Sequence, residues 1–434
     1  MPLMAIATVA YVLWWGSTPT VMSDTIGYQV VARDLGDLVI ESLHDRTPGY
    51  PVVLALTAST TQVTVALLGV QLMFHLLAVW MTLLLARRFS LSTRGDVVLA
   101  ALLLSPPLVE KAAYAGSEAT TEVLIVGSAW LLVRWFETRR RPYAAAAGIL
   151  LALAAVTRPT YQALGLLLAL AAFIALWRHR PHRVAMLDAA ALAVGSIVLI
   201  GGLTLFNAVR FDFPGMSPLL GWNLTTKTVT FIDELPEDDR GLRSTLVEAR
   251  DADLVDGESH TGVMYIWNVK ERISQQLGMS PAAADRYMIG LNLGLIARHP
   301  LNYMQSVTTA SGAYLLPSAT DKATGGRSIV QLLWAVLHLV VLASFSVQLV
   351  AVPGLFLARR LGADPSGAIR RPEARATWLV ALTLVAYTAV ISTAFEVGNP
   401  RYRTPTDPLI LLLAVGGASM ARSALRARGQ VRAA

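Results

Sequence analysis

Residues 139–183 read RRRPYAAAAGILLALAAVTRPTYQALGLLLALAAFIALWRHRPHR. Two apolar runs, 143–157 and 160–177, are separated only by Arg158-Pro159 and are flanked on both sides by arginines. Arg and Lys resist translocation across a bilayer, so both flanks belong on the cytoplasmic side. The chain must therefore pass outward and return, turning at Arg158. The 15 residues of the first limb rise about 22 Å at 1.5 Å each, short of a hydrocarbon core of about 30 Å. The turn is expected to lie recessed below the outer surface. An arginine at such depth either snorkels to lipid phosphate or faces a water-filled cavity or an anionic partner. The second option makes Arg158 a candidate functional residue.

The rest of the chain follows the same pattern. Of 434 residues, 54% are apolar and 15% charged, and the mean hydropathy is +0.53. Soluble chains are about 25% charged, so an ordinary cytosolic enzyme is excluded, as are disordered and collagen-like chains. The absence of cysteine excludes disulfide frameworks and thiolate metal sites. About ten crossings are expected, roughly at 2–22, 62–86, 96–109, 118–136, 143–157, 160–177, 184–209, 329–357, 376–394 and 405–421. The first run carries no charge before Asp24 and has no basic leader, so it reads as a retained crossing. The segment 301–317 is read as an interfacial helix on the outer side, because a crossing there would invert the arginines of 359–375.

Arginines in the short connections alternate cleanly: Arg87, Arg88 and Arg94; Arg134 and Arg139 to Arg141; Arg178, Arg180 and Arg183; five between 359 and 375; and the tail. Both termini are then cytoplasmic. On this topology the inner side carries 19 Lys+Arg and 5 acids, and the outer side 17 and 24. The formal net charge of +7 is thus an orientation signal, and no nucleic-acid stripe is formed. The fold class is an all-α polytopic membrane protein: a core over 1–209, an outer loop with an interfacial helix over 210–328, and three further crossings with a basic tail over 329–434.

Polar chemistry gathers at the outer face. Residues 26–43 place Val31, Leu35 and Leu38 on one helical face and Arg33, Asp37 and Glu41 on another, the pattern of an interfacial helix. His44-Asp-Arg-Thr-Pro-Gly-Tyr-Pro51 then forms a rigid turn. Glu118 and Glu122, one turn apart, open the fourth crossing and share a face. In the last outer loop, Arg401 and Arg403 flank Tyr402 between prolines, either as a phosphate clamp or as an interface anchor. His75 and His338 stand alone in apolar runs and read as packing residues. Asp251 and Asp253 read as a solvated loop.

Asp24 and Tyr28 after the first crossing, Arg46-Thr-Pro-Gly-Tyr-Pro51, Ser117-Glu118, Thr157-Arg158-Pro159, His299-Pro300 and Asn399-Pro-Arg-Tyr-Arg403 occur in an order that resembles GT-C superfamily glycosyltransferases, nearest the protein-mannosyltransferase and aminoarabinose-transferase-like branch. The resemblance implies a GT-C-like fold in a bacterial plasma membrane and a polyprenyl-phosphate-linked sugar donor presented from the outer leaflet. It implies a glycan, lipid or protein acceptor. Asp24 matches the acid of the first outer loop and would be the general base of an inverting transfer. Arg158, Arg401 and Arg403 would receive the phosphate leaving group, with Tyr402 beside them. Tyr28, which follows Asp24, would contact substrate, and Arg46 and Tyr50 would line the lipid-side entrance. Glu118 would bind sugar hydroxyls or complete a divalent-metal site with Asp24, although no acid triad compels a metal.

Two other classes fit the composition. A transporter or lipid flippase of amphiphilic, lipid-linked substrates would place functional charges near the midplane and on both sides. A non-catalytic scaffold would use the outer loop as its binding surface.

Overall fold

In the computed structural model the described residues are 18–44, 46–89, 91–236, 241–255, 265–316, 336–347 and 372–419, with the isolated positions 6, 9, 16 and 349. Among them every regular element is a helix, apart from an isolated parallel bridge between Thr20 and Tyr114. In chain order the helices that position the site are α1 (Ser23–Gly36), α2 (Gly49–Leu56), α3 (Val65–Ala86), α4 (Thr93–Leu103), α5 (Pro106–Ala112), α6 (Glu118–Thr138), α7 (Arg141–Thr157), α8 (Leu164–Trp177) and α9 (His182–Phe211). Helices α10 (Leu220–Thr228), α11 (Leu242–Val255), α12 (Tyr265–Leu277), α13 (Pro281–Arg298) and α14 (Pro300–Leu315) follow. The last are α15 (Val336–Val347), α16 (Pro372–Ala394) and α17 (407–419).

Among the described residues, five helices are long and apolar enough to cross a membrane: Val65–Phe89, Glu118–Thr138, Pro159–Trp177, His182–Phe211 and Pro372–Ala394. Each coincides with an expected crossing. Helix α7 is apolar but only 17 residues long, as the spacing to Arg158 requires. Most of the expected crossings at 2–22 and 329–357 falls outside the described residues, as do Arg359 to Arg371 and the tail from 420.

Two expectations are corrected. The run 96–109 is not one helix: α4 stops at Leu103, and α5 begins at Pro106 with Ser105 as its N-cap. Ser105-Pro106-Pro107 causes the break, because proline has no N–H to donate and disfavours a helical residue before it. The 11 residues of α4 rise about 16 Å, half a bilayer core. In the first outer loop, α1 ends at Gly36 rather than continuing to residue 43. The amide of Val39 closes back on the Asp34 carbonyl at 2.7 Å, and Leu38 takes a left-handed φ of 59° with 89% exposure. The apolar face therefore ends before Leu38.

The interior of the helical core is built mainly from Leu, Ala and Val of α3, α4, α6, α7, α8 and α16. Glycine allows α7 and α9 to touch. A Cβ on Gly148 would lie 2.1 Å from the Leu192 carbonyl oxygen, and one on Gly195 2.4 Å from that of Gly148. Since Arg141 also reaches Asp188 at 3.0 Å, the two helices advance together and run parallel. A second apolar cluster, centred on Trp222, Ile232, Tyr265, Ile266 and Met288, holds α10 to α13. Helix α13 is bounded by local signals, with Ser280 capping the Ala283 amide at 3.3 Å and a stop before Pro300.

Three local devices bring distant segments to one end of the core. The Thr20 amide donates to the Ala113 carbonyl at 2.9 Å, the Ala115 amide returns to Thr20 at 2.8 Å, and Thr25 Oγ1 donates to the Ala115 carbonyl at 2.7 Å. This stitch fixes the first turn of α1, where Asp24 stands. Gly49 packs against the last residue of α7: a Cβ there would lie 2.6 Å from Thr157 Cα and 2.7 Å from its N. Asn399 Oδ1 accepts from the Arg401 amide at 2.9 Å and starts the turn Pro400–Thr406.

Gly49→Ala tests the second device. Neither helix backbone can yield locally, so overpacking is expected to cost about 1–3 kcal/mol. Thermal unfolding in detergent should show a lower Tm than for wild type. An unchanged Tm would mean that α2 does not seat on Thr157.

Candidate functional site

Helix α7 ends because Pro159 follows. Arg158 adopts φ −145° and ψ 110°, the extended conformation that a residue before proline favours. This turns its side chain out of the helix line. Its guanidinium lies 4.5 Å from the centroid of the Tyr402 ring, and its Nη1 is 3.7 Å from Glu118 Oε1. Only 9% of Arg158 is exposed.

Arg401 is the centre of the arrangement. Its Nη1 donates to Asp24 Oδ2 at 3.0 Å, and its Nε donates to Glu118 Oε1. Arg46 Nη2 donates to the other Asp24 oxygen at 3.1 Å, and the Arg46 guanidinium stands 5.2 Å from the Tyr28 ring centroid. Asp24, Arg46, Glu118, Arg158, Arg401 and Tyr402 thus come together from five separated segments. Glycine makes room for them: a Cβ on Gly116 would lie 2.2 Å from Glu118 Oε2 and 3.4 Å from Arg401 Nη2.

The electrostatics follow from this packing. Burial pushes the Asp24 carboxyl upward, and the charges of Arg401, Arg46 and Arg158 more than reverse this, holding it below 3.8. Asp24 is therefore ionised, and its side chain is 33% exposed. Glu118 is sealed beneath it, with 1% of its side chain exposed. Two buried polar atoms in the cluster, Glu118 Oε2 and Arg158 Nη1, have no hydrogen-bond partner. Such atoms mark where water or a ligand group completes a site.

Glu396 and Lys227 border this cluster and were not expected there. Thr160 Oγ1 donates to Glu396 Oε1 at 2.8 Å, while Glu396 Oε2 is buried without a partner. Burial pushes Glu396 up, partly offset by Arg158, the Thr160 hydrogen bond and Lys227. Lys227, on α10, is 1% exposed. Burial pushes its ammonium down to about 8, with Glu396 acting in the opposite direction. Glu396 lies just before the proline-rich loop, and the apolar α16 ahead of it was the only signal available. For Lys227, the signal was its rarity among the basic residues.

A lysine whose folded pKa is depressed loses stability wherever it must be charged. The penalty is full below about 8 and vanishes as pH rises toward the unfolded value of 10.5. Lys227→Met is therefore expected to raise Tm at pH 7, by the equivalent of a few kcal/mol. The gain should shrink between pH 8 and pH 10 in a detergent melting series. A gain independent of pH would assign it to packing instead.

Other expected site residues lie elsewhere. Arg403 is not paired with Arg401 in a clamp. It is buried, with Nε donating to Asp407 at 2.7 Å and Nη1 donating to the Tyr314 and Leu316 carbonyls at 2.6 and 2.9 Å. Alternate residues of a tight turn point apart, and Arg403 holds that turn to the end of α14. Tyr50 is wholly buried, not at a lipid entrance: its hydroxyl donates to Gln71 Oε1 at 3.2 Å, and its ring meets Tyr28 edge-on at 5.1 Å. Tyr28 lines the cluster through Arg46. His75 is not alone, because its Nδ1 lies 3.0 Å from Glu122 Oε1. Glu118 and Glu122 therefore serve different partners, although both are buried.

The position between Asp24 and Glu118 is taken by the Arg401 guanidinium. Among the described residues no three His, Cys, Asp or Glu converge as metal ligands. As folded, the carboxylate pair fits a guanidinium and not a divalent cation. Neither protein-family models nor curated proteins give a match to this chain. Among the described residues, two of its acids are charge-paired and a third is pushed toward its neutral form, while three arginines converge. Such a set accepts an anion readily, because the anion can replace a carboxylate on a guanidinium already in place.

Proposed function

We propose that this protein is a GT-C-type glycosyltransferase that moves a sugar from a polyprenyl-phosphate donor to an acceptor at the outer face of a plasma membrane. The observation that carries the reading is the ion cluster in which Arg401 joins Asp24 to Glu118, with Arg46 and Arg158 beside them. Members of the ordered outer-face motifs meet there although more than 370 residues separate Asp24 from Arg401. About ten crossings, cytoplasmic termini and an extracytoplasmic site complete the proposal, and reporter fusions at the connections test that topology.

The chemistry follows from the contacts. The donor phosphate docks on Arg401, Arg46 and Arg158 and competes with Asp24 for the first two. Released from part of its counter-charge, Asp24 rises in basicity when the substrate that needs a base is bound. The acceptor hydroxyl attacks the sugar C1 from the face opposite the phosphate. The new C1–O bond forms as the C1–O bond to phosphate breaks, and the phosphate leaves with the electron pair onto the arginines. The hydroxyl proton passes to Asp24, and the sugar is inverted.

This exchange predicts a split in pH dependence. In free enzyme Asp24 lies below 3.8, so the acid limb of kcat/KM should also lie below that value. Activity falls as pH drops through the pKa, because the base is then protonated. With the arginines drawn to phosphate, the acid limb of kcat should lie at higher pH than that of kcat/KM. Coincident limbs would remove the proposed exchange.

A further inference from the structure

At the opposite end of the helical core, an open pocket of about 520 Å³ is lined by Arg139, Arg140, Arg141, Pro142, Arg180, Val184 and Asp188. Three of its four arginines are consecutive, running from the α6–α7 connection into the first residue of α7, and the fourth comes from the α8–α9 connection. Among the described residues, the only acid lining it is Asp188, which is buried. Arg141 Nε donates to Asp188 Oδ1 at 3.0 Å, leaving three guanidiniums without that carboxylate, while Asp188 Oδ2 is buried with no hydrogen-bond partner.

The helices add to the positive potential. Arg140 is the N-cap of α7 and Pro181 the N-cap of α9. Because these helices run parallel and in contact, both N-terminal dipole ends and both sets of free amides face the same end of the bundle. Burial and the facing charge of Arg180 push Arg139 below the ordinary arginine value. Like charges are thus held together, and the one carboxylate of the pocket, Asp188, offsets them only in part.

The surface beside the pocket is apolar. Leu187, one turn along α9 from the lining Val184, is 47% exposed, and Met186 is 56% exposed. At the end of α8, Trp177 stacks on His182 with ring centroids 3.8 Å apart. An aromatic side chain there has the place of an interfacial belt residue.

The geometry points to a binding site for the headgroup of an anionic phospholipid, with its phosphate on Arg139, Arg140 and Arg180, a headgroup hydroxyl donating to Asp188 Oδ2, and its acyl chains along the exposed apolar surface of α9. The site is separate from the Asp24 cluster and does not depend on the proposed activity. Basic pockets between helices, near the membrane surface, suit such headgroups.

The test uses the full chain purified in detergent, with phosphatidylglycerol, phosphatidylcholine and millimolar inorganic phosphate as separate probes. Native mass spectrometry should show retained phosphatidylglycerol, and this lipid should raise Tm more than phosphatidylcholine does. In Arg139→Gln/Arg180→Gln the apparent affinity for phosphatidylglycerol should fall by about tenfold or more, as expected for two surface charges. Arg87→Gln/Arg94→Gln, which removes the same charge from another connection, should leave it unchanged. If the first pair fails to fold, as judged by its lipid-free Tm, Arg180→Gln alone should show the same loss at smaller amplitude. The proposal is overturned if the Arg139/Arg180 variant keeps its lipid stabilisation or if both pairs lose it equally. It is also overturned if inorganic phosphate alone gives the full shift, which would make this a free-anion site.

Discussion

Asp24→Asn is expected to reduce sugar transfer by about 10²–10⁴-fold while the protein still folds. Asparagine keeps the shape of the side chain and can still accept from Arg46 or Arg401, which contact one Asp24 oxygen each. What it removes is the negative charge and the capacity to take a proton. The fall should appear in kcat, because in the proposed mechanism the arginines hold the donor phosphate, and these gain freedom when Asp24 is neutralised. KM for the donor should therefore fall or stay constant. Rates from single-turnover assays on protein in nanodiscs, with Tm as the folding control, check both statements. A variant with wild-type kcat would remove Asp24 from the chemistry, whatever became of the other residues.

The second large effect is at Arg401. Glu118 is sealed, and Arg401 is its hydrogen-bonded cation, with Arg158 Nη1 more distant at 3.7 Å. Arg401→Met would leave a buried carboxylate with weakened compensation, a change that typically costs about 3–5 kcal/mol. Tm should drop accordingly, and transfer should be lost. Glu118→Gln in the same chain removes the stranded charge, so Arg401→Met/Glu118→Gln should recover much of the lost stability but none of the activity. That split separates a structural role from a functional one. If the double variant recovered transfer along with Tm, Arg401 would be a scaffold for Glu118 and nothing more.

Much of the arrangement was legible in the sequence, for identifiable reasons. Apolar run length and arginine placement located the five long helices, since both are imposed by the bilayer on the residues themselves. The Arg158-Pro159 break was legible because proline acts on its immediate neighbour. Pairings across the fold were not. Nothing adjacent to His75 reveals Glu122, 47 positions away, and nothing near Lys227 reveals Glu396. Arginines 401 and 403, on either side of Tyr402, looked equivalent by type, yet the turn directs one to Asp24 and the other to Asp407 and two carbonyls. The break at Ser105 was written in the sequence, but an apolar run of the right length obscured it.

The proposed function requires covalent transfer at the Asp24–Arg401 cluster. The most direct measurement reconstitutes purified protein in liposomes with a polyprenyl-phosphate-linked sugar and an acceptor, and follows both products by mass spectrometry. Free polyprenyl phosphate and a glycosylated acceptor of inverted anomeric configuration are expected to appear together and to be absent with Asp24→Asn. Movement of the intact lipid-linked sugar across the bilayer, with its C1–O bond to phosphate unbroken, would contradict the proposed function.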